Sequence, residues 1–145
     1  APGTSASSIE YGTDTTRAIM GIAFNGDAVR FPDIRFIWSH AGGSVPFLAD
    51  RIDRAGNRAK EALPNGFSAE LKKFYYDVAG AANRGALVSL LELVETSQIV
   101  FGTDFPPGGT SSDVARDLAD TGLFSESDLR AIDRENAVSL FPRFA

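Results

Sequence analysis

An α/β fold with a parallel sheet is the fold class the sequence predicts, and three observations predict it. Short β-type runs alternate with stretches of helical periodicity, every run is closed by turn formers, and the first and third runs are mostly apolar on both faces. The runs lie at residues 34–39 (IRFIWS), 74–78 (FYYDV) and 99–102 (IVFG). Each is short and rich in aromatic or β-branched residues, as strands are.

The elements follow in chain order. Residues 1–8 (APGTSASS) are small, polar and carry Pro and Gly, without the charged and apolar regions of a signal peptide. They read as a flexible leader, or as the place where a longer protein was cut. Thr13 or Asp14 can cap a first helix carrying Ala18, Ile19, Ile22 and Ala23, with Gly26 near its end. Phe31, Pro32 and Asp33 open the first strand, and Gly42 and Gly43 close it. A helix over 46–62 sets Phe47, Leu48 and Ile52 against polar Asp50, Arg51, Asp53 and Arg54. The second strand ends in the small residues 79–82, after which Asn83 caps a helix with Leu87, Leu90, Leu91 and Val94 at helical spacing. The third strand runs into Thr103 and Asp104, then into Pro106, Pro107, Gly108 and Gly109. A short helix follows over 112–121. Ser125 caps a last helical segment with Glu126 and Asp128 in its first turn, ending in 136–141 before Pro142.

Composition limits the function classes. At 145 residues the chain is sized for one domain, with hydrophobic residues at 43% and charged residues at 23%, which excludes a wholly disordered chain. No apolar run reaches the roughly 20 residues that span a bilayer. Fourteen basic against nineteen acidic side chains give a net charge of −5, the wrong sign for a general nucleic-acid binder. With no cysteine there is no disulfide, thiolate metal site or cysteine nucleophile. The expected location is cytoplasmic.

In parallel α/β folds ligands meet the carboxyl ends of the strands. The first strand ends in Ser39, His40, Ala41, Gly42 and Gly43, and His40 is the one histidine of the chain. A lone histidine is more often a hydrogen-bonded structural residue than a catalyst. Its strand-end position beside two glycines favours function, because neutral imidazole accepts a proton or binds metal near pH 7. Asp104 ends the third strand, with Pro106 and Pro107 too close behind for comfortable helix capping. A carboxylate there suits a divalent metal or a proton relay. Zinc takes at least three protein ligands, so these two residues make half a site. Other signals are weak. No phosphate-binding loop, dinucleotide fingerprint or Gly-x-Ser-x-Gly elbow is present. Asp77, inside the second strand, either points into a polar mouth or pairs with a cation.

The string from Arg30, Phe31 and Pro32 through His40, Gly42, Gly43 and Pro46 to Arg51 and Ile52 resembles the amidohydrolase-2 family, and within it the aminocarboxymuconate-semialdehyde decarboxylase-like branch. Residues 102–106 (GTDFP) are similar to that family's later motif, and 14–19, 136–137 and 140–141 to its flanking segments, so the likeness covers about 9–141. The resemblance implies a (β/α)8 barrel with a divalent metal, zinc above all, at the strand ends. It implies Asp104 as metal ligand, His40 as the histidine that activates water or protonates substrate carbon, and Arg51 as the arginine reaching a substrate carboxylate, often across a dimer interface. The family's first-strand H-x-H or E-x-H pair and its strand-five histidine have no counterpart here, and would lie before Ala1. A complete barrel needs about 250 residues. The expectation is therefore that residues 9–145 are the C-terminal part of a barrel, about strands six to eight.

The function expected is a metal-dependent non-oxidative decarboxylase of a small aromatic or ring-opened carboxylic acid. The alternatives are a hydrolase of a lactone, ester or amide, or a non-catalytic α/β interaction module. Expected partners are the small carboxylated substrate and a second copy in a homodimer, or the missing N-terminal part. Three strands would leave open edges and barrel-facing apolar side chains, Ile34, Phe36 and Trp38 or their alternates Ile37 and Phe101.

Overall fold

The structure, a computed structural model, describes residues 3–56 and 61–145. The alternation of strand and helix gives the expected sheet: β1 (Ile37–Trp38), β2 (Tyr75–Asp77) and β3 (Ile99–Val100), all parallel, in the order β1-β2-β3. Ile37 lies opposite Tyr75 and Trp38 opposite Tyr76, while Tyr76 and Asp77 face Ile99 and Val100. The first strand is shorter than expected because the Ile34 amide closes a turn onto the Phe31 carbonyl (3.1 Å) instead of joining the ladder.

Helices make the crossovers. α1 (Glu10–Phe24) and the single turn α2 (Asp27–Arg30) precede β1; α3 (Val45–Gly56) and α4 (Phe67–Leu71) connect it to β2. α5 (Arg84–Leu91) leads to β3, and α6 (Ser111–Asp120) follows it. The chain closes with α7 (Glu126–Arg130), a π-helical stretch Ala131–Glu135 and α8 (Asn136–Leu140). Asn83 and Ser125 cap as expected, accepting from the Ala86 and Asp128 amides. α1 begins earlier than its expected caps: Thr13 sits inside it and donates its hydroxyl back to the Ile9 carbonyl, while Asp14 pairs with Arg17. Of the helix expected over 46–62, residues 57–60 lie outside the described residues, and Glu61 and Ala62 form a turn. No described helix is long and apolar enough to cross a membrane.

Side chains alternate across the sheet. On the helix-covered face Phe36 and Trp38 stack with ring centroids 5.8 Å apart, and both meet Phe74 edge-on. Tyr76 is buried there, its hydroxyl donating to the Leu71 carbonyl at 3.0 Å, and burial pushes its phenol far above the usual tyrosine range. Ile19, Val45, Leu87, Leu90, Leu118 and Ile132 complete this core from the helices. The expectation that Phe36 and Trp38 face a barrel interior is thus corrected: they pack on Phe74 toward the helices, and Phe101 also joins that core. Of the five side chains expected there, Ile37 lies on the opposite face, with Tyr75 beside it, and it is exposed. Ile34 is exposed in the turn before β1. The C-terminal helix is tied to the sheet by Asn136, whose amide donates to the carbonyls of Thr96 (2.9 Å) and Ile99 (2.7 Å).

Candidate functional site

The loops leaving β1 and β3 carry the two candidate residues. After Ser39 the chain turns through His40 (φ 55°), Ala41 (φ 54°), Gly42 (φ 77°) and Gly43 (φ 64°), all left-handed. For His40 and Ala41 that conformation costs of order 1 kcal/mol each or more, so surrounding bonds must hold it. They do: the Gly42 amide donates to Ser39, the Gly43 amide to His40, and the His40 amide to Asp77 Oδ1 at 2.8 Å. Thr16 of α1 fixes the exit, its hydroxyl oxygen accepting from the Ser44 amide at 2.9 Å.

Asp104 is left-handed too (φ 57°). Its carbonyl accepts from Gly108 at 2.8 Å, and a β-carbon at 108 would lie 2.6 Å from that of Asp104, so the tight loop needs glycine there. The Phe105–Pro106 peptide is cis. These two loops bring His40 Nε2 to 3.5 Å from Asp104 Oδ2, with 36% and 44% of the side chains exposed. That is the separation of an ion pair when the imidazole is protonated, and it leaves both groups open to a third partner.

The pair opens on a cleft of about 690 Å³, walled by the start of α1 through Ile9, Tyr11 and Thr13, and floored at Gly80. Among the described residues no lysine or arginine lines it. A smaller hollow of about 320 Å³ lies at the other end of the strands, among Val29, Ile34, Phe36 and Phe74, away from both candidate residues. Arg51 sits on the exposed side of α3 and is absent from the cleft, so the structure unites His40 with Asp104 but not with Arg51. Among the described residues Asp77 pairs with no lysine or arginine, and its carboxylate is engaged by backbone amides. Its Oδ1 accepts the amides of His40 and Ala79, and burial raises its carboxyl above the usual range while those two bonds pull it down. An aspartate inside a strand is against β propensity, and that was the available signal for it.

Among the described residues no group of three His, Asp or Glu side chains comes together. One imidazole and one carboxylate are donor types that zinc and manganese both accept, so the pair fits part of a coordination sphere and falls short of a whole one.

A family model described as Amidohydrolase matches residues 7–143. The decarboxylase yanB of Aspergillus niger is 32% identical over 143 residues, which is 94% of this chain and 39% of that protein. The 6-methylsalicylic acid decarboxylase of Penicillium expansum is 30% identical over 140 residues, 92% of this chain and 43% of the relative. Among solved structures, a dihydroxybenzoic acid decarboxylase from Polaromonas sp. JS666, holding manganese and the inhibitor 2-nitroresorcinol, superposes with a TM-score of 0.77 at 21% identity, over 94% of this chain and 42% of that one. The chain spans about two-fifths of the length of the curated relatives it matches.

Proposed function

The chain belongs to the amidohydrolase family, and from that premise we propose that it is the C-terminal part of a metal-dependent decarboxylase acting on a small aromatic or ring-opened carboxylic acid. The observation that carries the reading is the approach of His40 to Asp104, 3.5 Å apart at the carboxyl ends of parallel strands and open to one cleft. His40 is the proton donor. As the carbon–carboxylate bond breaks, carbon dioxide leaves, the electron pair stays on the substrate carbon, and the Nε2 proton completes the new C–H bond. Asp104 would hold the divalent metal, which when bound supplies positive charge against the developing carbanion. Zinc is the metal implied by the sequence resemblance, and manganese, held by the Polaromonas relative, is its rival. The remaining ligands would come from outside the described residues.

A carboxylated substrate needs a cation, and among the described residues none lines this cleft. Arg51, on the outer side of α3, is proposed to supply it to a second copy in a homodimer. A hydrolase of a lactone, ester or amide could use the same pair. That the matched relatives are decarboxylases favours the carboxy-lyase. A cytoplasmic location is proposed with it.

The test is His40→Gln beside Asp104→Asn in the full-length protein, reading metal content and carbon dioxide release from 6-methylsalicylate. His40→Gln should lower turnover at least about a hundredfold, the usual share of a general acid, and keep its metal. Asp104→Asn should lose metal, because a neutral amide is a poor ligand. Metal lost in parallel with activity in the first variant would make His40 a ligand, and unchanged metal in the second would remove Asp104 from the site.

A further inference from the structure

We infer that Asp77 is a positioning residue for His40: one carboxylate oxygen staples the loop after β1 to the turn after β2 and so fixes where the imidazole stands. The inference rests on the proton-donor role proposed above for its functional consequence, and on geometry for the rest. Asp77 is the last residue of the central strand, so its side chain reaches both neighbouring loops. Its Oδ1 accepts from the His40 amide at 2.8 Å and from the Ala79 amide at 3.1 Å. The His40 bond spans 37 positions of sequence and arrives at the first of two consecutive non-glycine residues in the left-handed region. A backbone in that region relaxes unless it is held, and this is the bond that ties its first amide to the sheet.

Two glycines shape the space around the staple. A β-carbon on Gly102, in the neighbouring strand-end loop, would lie 3.1 Å from both Cβ and Cγ of Asp77, so glycine there leaves the carboxylate lying across the sheet. A β-carbon on Gly80 would lie 3.0 Å from His40 Cδ2 and 3.5 Å from Nε2, so glycine there leaves room for the ring. Backbone and ring of the same histidine are thus placed by residues 77–80. What the staple needs is an acceptor oxygen at Oδ1, which an amide supplies as well as a carboxylate.

The experiment compares Asp77→Asn and Asp77→Ala in the full-length protein by amide hydrogen exchange at His40 and Ala79 and by steady-state decarboxylation of 6-methylsalicylate. Asp77→Asn should keep both amides protected and keep most of the activity. Asp77→Ala should speed exchange at both amides about tenfold, the weight of one lost hydrogen bond, and lower kcat with KM little changed. Native exchange at His40 in a folded Asp77→Ala would overturn the inference, as would an Asp77→Asn as damaged as the alanine variant. If the alanine variant does not fold, Gly102→Ala crowds the same carboxylate without deleting it. Faster exchange at His40 supports the staple there, and unchanged exchange overturns it. His40→Gln measured alongside keeps the two readings apart: loosened His40 exchange in Asp77→Ala with a fully active His40→Gln sinks the decarboxylation role and leaves the staple standing.

Discussion

Glu70 shows how a single residue depends on one partner. Its carboxylate is fully buried, and both oxygens accept from Lys73 Nζ, at 2.8 and 2.7 Å. Lys73→Ala strands that charge away from water. Because the lysine itself is 48% exposed, we expect the lower end of the usual cost, about 2–3 kcal/mol, read as a lower urea midpoint with the slope unchanged. Replacing both residues with apolar ones of similar size should recover most of that loss, and a single variant as stable as the parent would show the carboxylate has another partner. At this scale the site was half legible. His40 and Asp104 stood out because strand ends followed by Gly or Pro leave few structural uses for an imidazole or a carboxylate. The part played by Asp77 was hidden, since its acceptor meets an amide 37 positions away and no local pattern records that. Arg51 was singled out only through resemblance, and within this chain it stays away from the cleft.

Elements were legible where their signals are local. Asn83 and Ser125 cap the helices expected of them because an N-cap and its amides lie within three residues. Asn83→Ala should cost about 1 kcal/mol in unfolding free energy, and a smaller loss than a few tenths would mean α5 is held by packing alone. α4 went unseen for the opposite reason. Its start is capped from another helix, Asp53 of α3 accepting from the Phe67 amide (2.8 Å) and the Ser68 hydroxyl (2.6 Å), so no capping residue precedes it. The caps of α6 and α7 carry a pH signature. Hydrogen bonds from Thr110 and Ser125, side chain first and backbone second, hold Asp113 and Asp128 below the usual carboxylate range. A folded value depressed below the unfolded one means stability that is full above the unfolded value, near 3.8, and is lost as pH falls through the folded one. Ser125→Ala should therefore destabilise the protein more at pH 7 than at pH 3, and an equal loss at both would remove Asp128 from the cap.

For the whole molecule, the alternation of strands and helices predicted the parallel sheet, because parallel neighbours need a helix between them, while the order β1-β2-β3 comes from the structure. The face each strand covers was harder to read, since runs apolar on both sides carry no period-two signal. The outcome is a sheet with helices on the side of Phe74 and Tyr76, and with Ile37 exposed on the other. From that asymmetry and from the approach of His40 to Asp104 comes the proposal that the two belong to a catalytic centre which other residues complete. The most direct measurement takes the 145-residue chain alone, loads it with zinc or manganese, dialyses it, and reads metal content, mass by light scattering and carbon dioxide release from 6-methylsalicylate. We expect no retained metal, no turnover and a mass above that of the monomer, because one carboxylate ligand does not make a metal site and the open sheet seeks a partner. A monomer that keeps an equivalent of metal and decarboxylates would contradict it.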